Sequence, residues 1–140
     1  MLGCPNRTDP ASIGGVRKIR VLIVEHNALL RDGLLLLIQG EPGLEVAGTT
    51  GASEEAIELF VQQAPDVTLV DLDLPHSAGM TIVRRILKKD PSTCVLGLVT
   101  HEEDVARERA LHAGIRSCIA KERLNQDLVA LIRDCARPPY

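Results

Sequence analysis

Between residues 19 and 135, short runs of Val, Ile and Leu alternate five times with stretches whose apolar residues recur at helical spacing. Runs that are apolar throughout suit strands buried on both faces, and parallel strands need a long crossover between them, normally a helix. Right-handed crossovers leave few arrangements. The expected fold is an α/β doubly wound parallel sheet of five βα units in strand order 2-1-3-4-5.

The expected strands are 19–24, 44–48, 67–70, 94–99 and 117–120. A leucine-rich helix fills 28–38, closed by Gly40 and Pro42. Ser53 is the expected N-cap of the second helix, whose Ile57, Phe60, Val61 and Ala64 share one face before Pro65 stops it. Ile82, Val83, Ile86 and Leu87 mark the third helix, ended by Asp90 and Pro91. A weakly amphipathic fourth helix spans 103–112, with Gly114 as its cap. Leu124, Leu128, Leu131, Ile132 and Cys135 give the last helix a clear apolar stripe. Five consecutive apolar residues at 34–38 exceed what one narrow helical face buries. Either the core stripe there is broad, or Leu35 and Leu36 form an exposed partner surface.

The 140 residues suffice for one domain with a proper core, expected at 18–136. Residues 1–17 read as a Gly- and Pro-containing lead-in without the apolar core of a signal peptide. Arg137-Pro138-Pro139-Tyr140 cannot continue a helix and reads as a tail or the start of a linker. No run approaches the ~18 apolar residues of a membrane span, so the expected location is the cytoplasm. A net charge of −3 gives no basic field for nucleic acid. The cluster of Arg84, Arg85, Lys88 and Lys89 reads as a solvated helix face. Cys4, Cys94, Cys118 and Cys135 stand singly, without zinc-ligand spacing among themselves or with His26, His76, His101 and His112. Cys94 and Cys118 lie in apolar runs, where a reduced thiol behaves as a small hydrophobe.

Sheets of this kind bind ligands beyond the carboxyl ends of their strands. The strand ends carry Glu25-His26, Asp71, Thr100 and Lys121. A carboxylate beside a cation and a hydroxyl can act as a nucleophile toward phosphorus, while Lys and Thr hold the phosphoryl oxygens. Each residue taken alone has a plainer reading: Asp71 as a loop residue, Lys121 as a solvated lysine, Thr100 as an ordinary strand end. Their shared register favours the functional one.

Several fragments, in order and at matching spacing, resemble a bacterial response regulator receiver domain over residues 19–134. They are Ile19-Arg20-Val21-Leu22-Ile23-Val24, Leu29-Leu30-Arg31-Asp32-Gly33-Leu34, Pro65-Asp66-Val67, Val70-Asp71-Leu72, Pro75 with Gly79, Ala113-Gly114 and Lys121. The likeness is greatest to regulators of the NarL/FixJ (LuxR-type) subfamily. It implies a flavodoxin-like (βα)5 fold, with Asp71 phosphorylated by a sensor histidine kinase. Thr100 would be the switch hydroxyl and Lys121 the partner of the phosphoryl charge. Glu25 and Asp71 would help to hold Mg²⁺, and a DNA-binding effector domain would lie outside this chain.

Three positions depart from the family pattern. His26 stands where a second acid normally ligates the metal, and imidazole is a poor ligand for a hard cation. That change implies weak or absent Mg²⁺ binding, with the Asp73 side chain as a substitute oxygen ligand. Cys118 replaces the aromatic switch residue, and His101 replaces a small residue. His26 reads as drift or as a cation standing in for the metal, with a soft-metal site shared with His101 and Asp71 the less favoured reading.

The expected function is therefore a phosphorelay switch in transcription regulation, without enzymatic activity of its own. One alternative is a phosphorylation-independent module that binds or dimerises through its first and last helices. A second is a phosphatase, since Asp71-Leu72-Asp73 resembles the acidic pair of haloacid dehalogenases; the further acidic ligands of that family are missing. A flavin carrier is disfavoured because the only aromatics are Phe60 and Tyr140.

Overall fold

The computed structural model describes residues 17–100 and 105–136. Five parallel strands form one sheet in the order β2-β1-β3-β4-β5: β1 (Ile19–Val24), β2 (Leu44–Thr50), β3 (Val67–Asp71), β4 (Cys94–Val99) and β5 (Ser117–Ala120). The helices are α1 (Ala28–Gln39), α2 (Ser53–Gln63), α3 (Ala78–Lys89), α4 (Val105–Ala113) and α5 (Leu124–Cys135). This is the flavodoxin-like arrangement expected from the alternation.

Strand residues point alternately to the two faces, and the core divides accordingly. On one face Val21, Ile23, Leu69, Leu96 and Leu98 pack with Leu34 and Ile38 of α1 and Leu124, Leu128 and Ile132 of α5. On the other face Leu22, Val24, Val70, Val95 and Val99 meet Phe60 of α2, Ile82 and Ile86 of α3, and Ala110 of α4. Burial on both sides explains why β4 reads as an unbroken run without polar side chains, and why β3 carries only Thr68 before Asp71.

Local departures from the expected boundaries have local causes. β2 runs to Thr50, two residues past expectation: it pairs with β1 as far as Val24, and a register shift between Val21 and Leu22, which skips Ala47, adds one of the two. Ser53 is the first residue of α2 and not its N-cap, which is Ala52. Thr50 supplies the missing side chain: its Oγ1 accepts from the Ala52 N–H at 3.0 Å and donates to Glu55. Asn27 caps α1 by accepting from the Leu30 N–H at 3.0 Å. Cys94 and Cys135 are paired as a disulfide, with Cα atoms 6.0 Å apart, so Cys94 is not the isolated core thiol expected from its apolar run.

The fourth helix is described from Val105, so its expected start at 103 lies outside the described residues. The same holds for residues 1–16 of the lead-in, for His101, and for the tail at 137–140. Arg17, by contrast, is anchored to Asp66 at 3.0 Å. Among the described residues no helix is long and apolar enough to cross a membrane.

Candidate active site

The carboxyl ends of β1, β3 and β5 bring four charged groups together. Lys121 Nζ lies 3.0 Å from Asp71 Oδ1, 3.5 Å from Asp73 Oδ2 and 3.6 Å from Glu25 Oε1. The side chains of Glu25 and Asp71 are 1% and 4% exposed, so these charges sit largely out of water, where pairing is needed. Backbone donors complete the arrangement. The Asp73 N–H donates to Asp71 Oδ1 at 2.9 Å, the Asn27 N–H to Glu25 Oε2 at 3.0 Å, and the His26 N–H to Asp71 Oδ2 at 3.5 Å.

Those contacts push the two buried acids apart. Burial, reinforced by a hydrogen bond shared with Asp71, raises the Glu25 pKa from 4.5 to about 7. Its buried Oε1 has no hydrogen-bond partner, the Lys121 ammonium standing 3.6 Å away. Burial works against the Asp71 carboxylate too. Hydrogen bonds from Glu25, the Asp73 N–H and Lys121 outweigh it and hold Asp71 below its ordinary value. For Lys121, burial opposes the charge, and the three carboxylates more than compensate and raise its pKa. The site thus sets a Glu25 that keeps its proton up to about pH 7 beside an ionised Asp71 and a charged Lys121.

Thr100 reaches the same rim, where its Oγ1 donates to Asp73 Oδ2 at 2.5 Å. The fold therefore gathers Glu25, Asp71, Asp73, Thr100 and Lys121, with Thr100 resting on Asp73 rather than Asp71. His26 is exposed. Sequence reasoning passed over two supporting positions. Gly79 lets α3 start against the backbone of Asp71: a Cβ there would lie 2.3 Å from the Asp71 carbonyl oxygen. Arg31 donates to the Glu25 carbonyl at 2.8 Å and fixes the β1 end. Both belong to fragments that carry the receiver resemblance, which was the available signal.

The chain matches the family model described as response regulator receiver domain over residues 21–133. This chain belongs to the response regulator receiver family. It is 36% identical over 110 residues to protein-glutamate methylesterase/protein-glutamine glutaminase 5 of Anaeromyxobacter dehalogenans, covering 77% of this chain and 30% of that protein. It is 31% identical over 115 residues to response regulator GacA of Pseudomonas viridiflava, covering 82% of this chain and 54% of that protein. The receiver thus spans about a third to a half of the length of these curated relatives. Among solved structures it resembles the response regulator domain of Thermotoga maritima CheB, with TM-score 0.79 and 27% identity over 87% of this chain and 100% of that one. It is equally similar to the receiver domain of a NarL regulator from Mycobacterium tuberculosis, with TM-score 0.78 and 26% identity over 85% and 96% of the two chains. Relatives of both kinds surround it, so the family is shown and the NarL/FixJ subfamily is not singled out.

Receiver domains generally bind Mg²⁺ for phosphorylation, and a receiver is not itself an enzyme. In this receiver Glu25, Asp71 and Asp73 offer the oxygen donors that a hard cation prefers. They are organised around the Lys121 ammonium, however, and His26 withholds the acid that would complete the set. Among the described residues no group of three or more His, Cys, Asp or Glu side chains is placed to hold a metal. The expected metal set of Glu25, Asp71 and Asp73 is brought to one rim, where its carboxylates face the Lys121 ammonium.

Proposed function

We propose that this receiver accepts a phosphoryl group on Asp71 from a sensor histidine kinase, in the cytoplasm, and that it does so slowly because its acidic pocket is altered. The observation that carries this reading is the 3.0 Å contact between Lys121 Nζ and Asp71 Oδ1, reached across β4 from the ends of β5 and β3. Asp71 is held ionised, as a nucleophile must be. Lys121 and the Asp73 N–H both bind Oδ1, while the His26 N–H stands 3.5 Å from Oδ2, so we assign the attack to Oδ2. The new bond joins Oδ2 to phosphorus as the bond from phosphorus to the donor breaks. Lys121 balances the added charge, and Thr100 is within reach of the product through Asp73. We further infer weak Mg²⁺ binding and an output of the NarL/FixJ kind, supported by the GacA and NarL likenesses and exerted on DNA through an effector domain outside this chain.

Treatment with acetyl phosphate followed by intact-mass measurement tests this reading. The wild type should gain one phosphoryl group slowly and with little Mg²⁺ dependence, and Asp71→Asn should gain none. His26→Asp should label faster and respond to Mg²⁺ by about ten- to a hundredfold, the range that disturbing a metal site commonly spans. Rapid, strongly Mg²⁺-dependent labelling of the wild type contradicts the altered-pocket reading.

One observation supports a second reading, a binding module that acts through α1 and α5 without phosphate. Leu29 and Leu36, two turns apart on α1, are 84% and 70% exposed. Leu35, expected to be exposed, is half-buried, so the apolar patch lies one position round the helix from expectation. We propose that a second copy covers it in a two-fold dimer. Sedimentation should show the wild type dimerising at tens of micromolar and Leu36→Glu remaining monomeric. A wild type that stays monomeric at the highest attainable concentration removes the dimer.

A further inference from the structure

At the end of the sheet opposite Asp71, Cys94 opens β4 and Cys135 closes α5. Their 6.0 Å Cα separation lies within the range a disulfide spans without backbone movement. Both residues are buried, at 7% and 5% exposure, within the core face formed by α1 and α5. Both also line a cavity of about 870 Å³, together with Phe60, Lys89, Arg116 and Ala136. The two sulfurs are therefore sheltered from bulk solvent yet face a space large enough for a small reagent.

We propose that Cys94 and Cys135 form a reversible thiol–disulfide site, worked through this cavity by low-molecular-weight disulfides such as oxidised glutathione. As thiols, both residues serve as small hydrophobes in the same core, so the fold accommodates either state. Lys89 and Arg116 line the cavity together with Asp66 and Asp90, so it offers both cationic and anionic partners to a zwitterionic reagent such as glutathione.

In the oxidising direction one protein thiolate attacks a sulfur of the small disulfide, releases one small thiol and leaves a mixed disulfide. The second protein thiolate then attacks the protein sulfur, forms the Cys94–Cys135 bond and expels the second small thiol. Two electrons pass from protein to reagent, and the two protons lost by the protein thiols end on the two released thiols.

What the bond controls is the end of α5. Leu124, Leu128 and Ile132 hold the earlier turns in the core in either state, and Cys135 is the last buried residue of the helix. Oxidation locks the final turn to β4, and reduction leaves it free to fray.

The full chain, equilibrated under native conditions in glutathione buffers of graded redox ratio, tests this. Samples are quenched, unfolded in an alkylating agent, weighed intact and mapped by peptide. The sequence holds four cysteines. Four adducts are expected in reducing buffer and two in oxidising buffer, with the bond mapped to Cys94 and Cys135. The oxidised form should melt higher by about 10 °C, the scale expected for closing a loop of this length. Cys94→Ala and Cys135→Ala should abolish that difference between buffers. Should either variant fold poorly, the wild-type peptide map still decides. Four adducts at every ratio, a bond that resists reduction until denaturant is added, or a bond mapped to Cys4 or Cys118 would overturn the proposal.

Discussion

Alanine at Gly79 is expected to destabilise the domain by about 3 kcal/mol or more, the upper end of what overpacking a well-filled interior costs. The added Cβ would lie 2.3 Å from the Asp71 carbonyl oxygen, 3.2 Å from the carbonyl carbon and 3.0 Å from Leu72 Cα. All three are backbone atoms, so no side-chain rotation relieves the clash. Either α3 withdraws, unseating Met80, Ile82, Val83 and Ile86 from the core, or the end of β3 bends and carries Asp71 away from Lys121. Gly33→Ala is the control. That glycine lies on α1 with nothing within 4 Å of a Cβ, so alanine should stabilise the helix by about 0.5–1 kcal/mol. Urea unfolding of both variants checks the pair, and equal stabilities would refute the close approach of α3 to Asp71.

The second large effect is on pH dependence. Native Glu25 titrates near 7 and its unfolded form near 4.5, so between these values the folded chain binds more protons than the unfolded one. Stability from this group is then fully present below about pH 4.5 and is lost as pH rises through 7. The displacement corresponds to about 3 kcal/mol at 1.36 kcal/mol per pH unit. Asp71, held below its ordinary value, acts in the opposite sense and only in more acid solution, while Lys121 acts only at alkaline pH. In Glu25→Gln an amide replaces the protonated acid and can still donate to Asp71. The variant should therefore become progressively more stable than wild type between pH 5 and 8, measured in urea with a chelator present. Parallel pH profiles for the two proteins would show that Glu25 is ionised in the fold.

The sheet was legible because burial on both faces writes itself as short runs rich in Val, Ile and Leu, and the strand ends followed from it. Asp71, Thr100, Lys121 and Glu25 could be named from position alone. Their pairing could not, since whether Thr100 meets Asp71 or Asp73 depends on loop geometry that leaves no periodic trace. Nor could the protonation of Glu25, which arises from burial beside a second acid. On α1 a run of leucines hides which residues face water, because adjacent positions differ by only 100° around the helix. The exposed pair accordingly fell at Leu29 and Leu36 and not at Leu35 and Leu36. The partners Cys94 and Cys135 stand 41 residues apart, and each looked solitary until the end of α5 was seen to return to the start of β4.

That bond also divides the molecule mechanically. With Cys94 and Cys135 joined, residues 94–135 become a covalent ring holding β4, α4, β5 and α5, and with them Thr100 and Lys121. Glu25, Asp71 and Asp73 stay on the linear part. Tension applied at the two ends of the oxidised chain passes through one sulfur–sulfur bond and bypasses every element inside the ring. The ring is bound to the rest of the sheet by the β3–β4 ladder, from Val67↔Cys94 to Asp71↔Leu98, which ends at the pocket itself. Pulling would therefore peel the domain along that seam and draw the anions of the rim away from their cation as two intact pieces.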